Sequence, residues 1–268
     1  MKPKEWWRSS SQEKTNKEPT LKERGYGAAD IHIHSSVGDG MASIPEILEF
    51  VAQRGELDVI AITDHDGIEG SYQARELAAK RGYLFEVVIG MEVSTLEGHF
   101  LALFIESPVT SLMPLANTVE AIHIQGGLCI APHPMSWLTE SVTQRSLEKI
   151  VNSGEQGLYL DGIETINPTI AGWISNRKAR RFSEKYRLAE TGGSDAHFLL
   201  TVGSAFTSFP GRSAEELKRS ILERKTQARN GTRVRLSDVG LVQLIKQQRK
   251  SGGFSPRRIV RNFFEQSK

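Results

Sequence analysis

The sequence predicts an α/β fold in which parallel strands close into a TIM-like barrel, followed by a helical C-terminal extension. Three observations carry this. Apolar, β-branched runs alternate with helical stretches, the pattern of strands covered on both faces by helices. Seven or so such runs fall within about 185 residues, which suits a barrel better than an open sheet. Six of the seven histidines stand at strand ends, beside carboxylates. In parallel folds the strand C-termini share one face, where active sites are built.

The elements follow in order. Residues 1–25 are polar, mixed in charge and nearly free of aliphatics, so they read as a disordered leader. From Tyr26, "AADIHIH" is a strand and "SIPEILEFVAQRG" a helix, capped by Ser43, with Pro45 in its first turn and Gly55 as its stop. "LDVIAITD" is a buried strand, and "GIEGSYQARELAAKRG" a helix closed by Gly82. The strands "LFEVVIGMEVS" and "HFLALFIES" precede a helix around 114–125. "GLCIAPHP" is a strand, followed by a helix around 143–152, the strand "DGIETIN" and a helix over 170–186. Short strands at "LAETGGSD" and "SAFTSF" complete the barrel. Residues 213–268 read as three helices, each begun by a serine able to cap it: "SAEELKRSILERKTQARNG", "SDVGLVQLIKQQRKSGG" and "SPRRIVRNFFEQSK". The expected domains are a leader over 1–25, a barrel over 26–228 and a basic helical tail over 229–268.

Composition narrows the function classes. The formal net charge of +2 hides an asymmetry. Residues 1–25 carry +3 and residues 211–268 carry +10, leaving −11 for the stretch between. The acidic middle suits a cation site, and the basic tail offers a surface for an anionic partner such as short nucleic acid. One cysteine, Cys129, excludes an intrachain disulfide and suits a reducing compartment, so a cytoplasmic location is expected. No apolar run approaches the length of a transmembrane segment.

The chemistry lies at the strand ends. "ADIHIHSSVGDG", residues 29–40, gathers Asp30, His32, His34 and Asp39. In "HIH", alternate strand residues turn the same way, so both rings face one centre. His65 in "ITDHDG", Glu92 in "GMEVST", His99, His133 in "APHP", and Asp195 with His197 in "GGSDAH" follow. Imidazole nitrogen and carboxylate oxygen are the donors that zinc, manganese and iron prefer. Singly, each has a plain structural role as a packed histidine, an edge polar group or a turn residue. Together they would leave several unpaired polar groups in one cavity, at on the order of 1–3 kcal/mol each, unless metals bind. Asp30 and Asp64 are expected to fix ligand tautomers by accepting the outer ring N–H. Asn167 and Arg177 are expected to meet a phosphate. His123, within a helix, is assigned no role.

The set "DIHIHSSVGDG", "ITDHDG", "GMEVSTLEGH", "APHP" and "GGSDAH", in that order, resembles the polymerase and histidinol phosphatase (PHP) superfamily, in particular its stand-alone metal-dependent phosphoesterases. The resemblance covers roughly residues 26–225. It implies a distorted (β/α)7 barrel holding two to three divalent ions of Mn, Fe or Zn. It places His32, His34, Glu92 and Asp195 at one metal, Glu92, His99 and His133 at a second, and Asp39, His65 and His197 at a third. Aspartate at position 39 stands where some relatives have histidine. The reaction implied is hydrolysis of a small phosphomonoester, a nucleotide or nucleoside bisphosphate first among them, by a metal-bridging hydroxide. Two alternatives are a 5'-3' exonuclease on short RNA or DNA, and a non-catalytic regulatory module.

Overall fold

The computed structural model describes residues 25–234 together with Leu21, Val239, Lys246, Gln247 and Lys250. The leader, apart from Leu21 and Gly25, and the two helices expected over 237–268, apart from the residues just named, lie outside the described residues. Among the described residues nine strands form one sheet: β1 (Tyr26–Ile33), β2 (Val59–Ile62), β3 (Glu86–Thr95), β4 (Gly98–Leu103), β5 (Leu128–Ala131), β6 (Gly162–Ile166), β7 (Ala189–Gly192), β8 (Ala205–Pro210) and β9 (Gln227–Asn230). Their spatial order is β7-β6-β5-β4-β3-β2-β1-β8-β9. Among the described residues six helices with given bounds accompany the sheet: α1 (Ile44–Arg54), α2 (Glu69–Arg81), α3 (Leu115–Ile124), α4 (Gln144–Val151), α5 (Ile170–Tyr186) and α6 (Ala214–Leu222). No described helix is long and apolar enough to cross a membrane.

The barrel is mixed rather than all parallel, and the chain's own spacing shows why. β1, β2 and β3 pair in parallel, as do β5, β6 and β7. Between β3 and β4 only Leu96 and Glu97 intervene, whereas a parallel crossover needs a dozen or more residues. β4 must therefore return antiparallel to β3, and it is antiparallel to β5 as well. β8 is antiparallel to β1, and β9 to β8. The long helix expected from Ser213 stops at Leu222, where Ser213 and Glu216 form a capping box at its start. Gln227–Asn230 pair with the open edge of β8 instead, because an unpaired edge leaves backbone donors and acceptors unsatisfied.

One side chain ties β7, at one end of the sheet, to β8, the strand next to the other end. Thr207 Oγ1 on β8 accepts from Gly192 N at 3.0 Å and donates to Gly192 O at 3.0 Å. A Cβ at Gly192 would meet Phe206 O at 2.6 Å, so only glycine lets β7 come this near. Ala29, Ile31, Val59, Ala61, Leu101, Leu103 and Ile130 fill the interior, and Leu217 and Ile221 of α6 join that same cluster. The first two helices are set as the sequence predicts. Ser43 and Glu46 form a capping box on α1, while Gly55 and Gly82 end α1 and α2 in the left-handed region.

His123 on α3 has a structural role. Its Nε2 lies 2.9 Å from Asp161 Oδ2 and its Nδ1 2.8 Å from Gly157 O, with the ring stacked on Tyr159. The same Asp161 oxygen accepts from Cys129 N, tying α3 to β5. Burial alone would lower the His123 pKa, but the hydrogen bond to Asp161 outweighs it and holds the pKa above 6.5. The stability gained from a raised imidazole is fully present below its unfolded pKa and lost as pH rises through the folded one. Urea unfolding of wild type and His123→Gln should therefore show a stability gap that is widest near pH 6 and narrows towards pH 9. A gap constant across that range would remove the ion pair from the account.

Candidate metal centre

The first strand sets the geometry. Ala29 and Ile31 belong to the barrel interior, whereas Ile33 packs in the cluster beneath α1. The alternation changes phase because the register with β2 shifts between Asp30 and Ile33, a bulge that re-aims the residues after it. His32 and His34 both turn to the barrel axis and reach the same oxygen, Glu92 Oε2, each at 3.2 Å. His65 arrives from the end of β2, His133 from the end of β5, and Asp195 and His197 from beyond β7. His99 opens its strand instead of ending it. Since β4 runs antiparallel, its N-terminal end lies at the same mouth as the C-termini of its parallel neighbours.

Glu92 is the hub. Oε1 lies 3.1 Å from His99 Nδ1 and 3.1 Å from His133 Nε2, and Oε2 is also 3.5 Å from His65 Nδ1. Five imidazoles thus surround one fully buried carboxylate. Asp195 Oδ1 lies 3.4 Å from His34 Nε2 and 3.4 Å from His197 Nδ1, and Asp39 Oδ2 lies 3.2 Å from His197 Nε2. All nine residues singled out in the sequence meet here. Their donor atoms fall into four overlapping groups, each within 4.8 Å: His34, Asp39, His65 and His197; His32, Glu92 and His133; His32, His34 and Asp195; His65, Glu92 and His99.

Electrostatics polarise the cluster. Burial alone would raise Glu92 and Asp195, yet the surrounding histidines hold both well below the usual carboxylate range. Burial would lower His34 and His99, yet the carboxylates facing them push both to about 10. His65, for which burial prevails, falls to about 4.

Hydrogen bonding shows that these residues fit a cation. His32 Nδ1 lies 3.1 Å from Glu164 Oε1, and a carboxylate only accepts, so the proton sits on Nδ1. In the neutral ring, Nε2 then turns a lone pair towards Glu92. His133 repeats this arrangement. Its Nδ1 lies 2.9 Å from Ser141 Oγ, whose own hydrogen goes to His133 O, which leaves Nε2 facing Glu92 Oε1. Lone pair against carboxylate is repulsive without a positive charge between them. Both ring nitrogens of His34 are buried without an aligned hydrogen bond, although Glu92 and Asp195 are within 3.4 Å of Nε2. Nitrogen and oxygen donors of this kind suit borderline divalent ions.

The supporting groups differ from expectation. Asp30 and Asp64 reach no imidazole hydrogen bond. Asp30, pushed up to about 6 by burial, accepts from Ser194 N at 3.0 Å and Gly203 N at 2.8 Å. Asp64 accepts from Ser35 N and Ser35 Oγ, both at 2.6 Å. Each thereby holds a loop that carries donors. Asn167 is fully buried, and its amide nitrogen donates to Glu164 Oε2 at 2.9 Å with Asp195 Oδ2 at 3.4 Å. It stands behind Asp195 instead of facing open space. Arg177 is exposed on α5, and it is the preceding residue, Asn176, that bonds the Asn167 backbone.

Sequence reasoning missed Glu164. It accepts from His32 Nδ1, from His133 N at 2.8 Å and from Asn167 Nδ2, so one carboxylate orients donors from β1, β5 and β6. A Cβ at Gly193 would collide with Glu164 Oε1 and lie 2.7 Å from His32 Cβ, so that position must stay bare. The signal was a charged residue in the middle of the buried strand "DGIETIN". Every group facing Glu164 is a donor, and Glu164→Gln must turn its NH2 against one of them. That variant should bind divalent metal roughly 10–100-fold more weakly with its circular dichroism unchanged, as read by chelator competition. Unaltered affinity would show that Glu164 does not orient the donors.

Comparison with known proteins agrees. The family model described as PHP domain matches residues 30–192, and one described as PHP-associated matches residues 173–226. An uncharacterized protein of Methanocaldococcus jannaschii is 35% identical over 150 residues, 52% of this chain and 81% of its own length. A phosphoribosyl 1,2-cyclic phosphate 1,2-diphosphodiesterase of Eggerthella lenta is 37% identical over 101 residues, 35% of this chain and 37% of its own. Among solved structures, a two-domain Bacteroides vulgatus protein containing a predicted PHP-like metal-dependent phosphoesterase superposes with a TM-score of 0.63 at 20% identity, covering 84% of this chain and 70% of that one. With its strand-end donors gathered at one mouth and a PHP domain spanning residues 30–192, the chain belongs to the PHP-domain family.

Proposed function

We propose that the protein hydrolyses a phosphomonoester of nucleotide type, using two to three divalent ions of Mn, Fe or Zn held at the mouth of the barrel. The observation that carries this is the convergence of six histidines on Glu92, Asp195 and Asp39. In this reading His32, His34, Glu92 and Asp195 hold one ion, Glu92, His99 and His133 a second, and Asp39, His65 and His197 a third. Bound divalent ions supply Lewis acidity, polarising phosphoryl oxygens and bringing the pKa of water down towards about 7. The chain supplies placement. Glu164 and Ser141 keep the Nδ1 protons of His32 and His133, so that both Nε2 atoms face inward. Asp30 and Asp64 brace the loops, and Asn167 steadies Asp195. Cys129 serves no nucleophilic role, since it is buried in β5 with its thiol pushed well up by that burial.

Two exposed indoles support a base-bearing substrate. Trp137 follows β5 on the loop after His133, and Trp173 lies in the first turns of α5 after Asn167. They are 75% and 82% exposed, on connections that leave neighbouring strands at the mouth. Bare indole faces offer stacking surfaces for a nucleobase. A second reading, a 5'-3' exonuclease on short RNA or DNA, draws on Lys250. Its Nζ donates to Ser36 O at 3.0 Å and Gly40 O at 2.8 Å, which sets a cation of the basic C-terminal segment on the loop that carries Asp39.

Metal analysis coupled to a phosphate-release screen over mononucleotides, nucleoside bisphosphates, sugar phosphates and short oligonucleotides tests both. Glu92→Gln should cut hydrolysis at least about a hundredfold while the protein stays folded, because the central charge goes without a change in volume. Full activity in that variant would end the metal-centre reading. Trp173→Ala should raise KM for a nucleotide about tenfold and leave KM for a sugar phosphate unchanged. Equal effects on both substrates would take the indole out of base recognition.

A further inference from the structure

A second polar cavity lies at the other end of the barrel. It occupies about 500 Å³ between the C-terminal turn of α5, the start of β7 and the connection from α6 into β9. Arg187, Arg224 and Arg229 line it, together with Glu184, Glu190 and Thr226. Arg187 precedes β7, whereas Asp195 lies beyond its far end, so the strand's length of ~13 Å separates the cavity from the metal centre. The volume suits a small-molecule ligand.

Three observations point to an anion. All three arginines are exposed, with Arg229 Nη2 donating to Gln227 Oε1 at 2.6 Å; of the acidic residues near them, Glu184 and Glu190 share the cavity lining, whereas Glu223 and Glu216 are engaged elsewhere. Glu223 pairs with Lys225 at 2.6 Å, and Glu216 accepts within the α6 capping box. Arg187 and Arg224 also stand in the left-handed region, at φ 52° and φ 56°, where α5 and α6 end (Arg187 N–H donates to Ser183 O, Arg224 N–H to Ile221 O), and these turns set both residues on the cavity wall. Thr226, finally, is buried, and its hydroxyl has no hydrogen-bond partner among the described residues.

We propose that this cavity binds a phosphorylated small molecule, at a site separate from the one that performs hydrolysis and independent of the reading of that site. The guanidinium forks match phosphoryl oxygens, and the carboxylates of Glu184 and Glu190 suit hydroxyl or amino groups on the rest of the ligand.

Inorganic phosphate is the probe, titrated calorimetrically into the metal-loaded protein. The double variant Arg224→Gln/Arg229→Gln should bind one equivalent fewer than wild type, or bind that equivalent at least about tenfold more weakly. Its metal content and phosphomonoester hydrolysis should be unchanged. Should the double variant not fold, Arg187→Gln on the opposite wall carries the same comparison. Equal stoichiometry and affinity in wild type and variants would overturn the proposal. The arginine-dependent equivalent should persist in Glu92→Gln, because the cavity draws on no residue of the metal centre; failure of the metal-centre reading would show instead as unchanged metal content and hydrolysis in that variant.

Discussion

A carboxylate buried among five imidazoles is the constraint on which the rest of this structure depends. Glu92 sits on β3, in the middle of the sheet, with no exposed surface. Burying an isolated carboxylate costs several kcal/mol even after relaxation, so it requires compensating charge from every side. Imidazoles arrive to surround it from β1, β2, β4 and β5, those of His34 and His99 with raised pKa, and each arrival fixes a strand's register. A one-residue slip of β4 against β3 would turn His99 away from Glu92 and Leu101 out of the core. Site and barrel therefore specify each other, and the cluster acts as part of the core.

The hairpin between β3 and β4 shows how the topology serves the site. A barrel of parallel strands offers only C-terminal ends to one mouth. Reversing β4 brings an N-terminal end there too, and His99 uses it. Reversal also sets His99 beside Ser141 through an isolated bridge, and Ser141 is the residue that fixes the His133 ring. Two of the hub's five imidazoles thus depend on a two-residue turn. Two site residues also carry unusual backbone. His133 and Asp195 hold φ at 28° and 50°, conformations uncommon for side chains of their size, and the hydrogen bond from His133 N to Glu164 helps to hold the first of them.

Much of this was legible in the chain. The strands, the helix stops at Gly55 and Gly82 and all nine donors could be read because each leaves a local mark: alternation, a cap, or a polar residue where a strand ends. What escaped was non-local. β9 looks helical by itself and becomes a strand only because β8 has an open edge. Asp30 and Asp64 neighbour histidines in sequence, but strand geometry points them at the loops of Ser194, Gly203 and Ser35, whose backbone donors no spacing reveals. Glu164 takes the task they were expected to share, from more than 130 positions away along the chain.

The two ends of the barrel divide charge in opposite ways. At the mouth, carboxylates and imidazoles are buried against one another, and the structure leaves lone pairs aimed at a shared centre, which suits small, hard or borderline cations. At the far end, guanidiniums stand exposed around an open cavity. Their charge is spread over a planar fork and is weakly hydrated, so they need no burial to select a phosphoryl group. A near-neutral total charge conceals this division, because the acidic barrel and the basic C-terminal region cancel in the sum. Phosphate chemistry makes both ends intelligible: a phosphoester must be polarised by cations where it is cleaved, whereas a phosphoryl group that is only recognised needs no more than a matching fork.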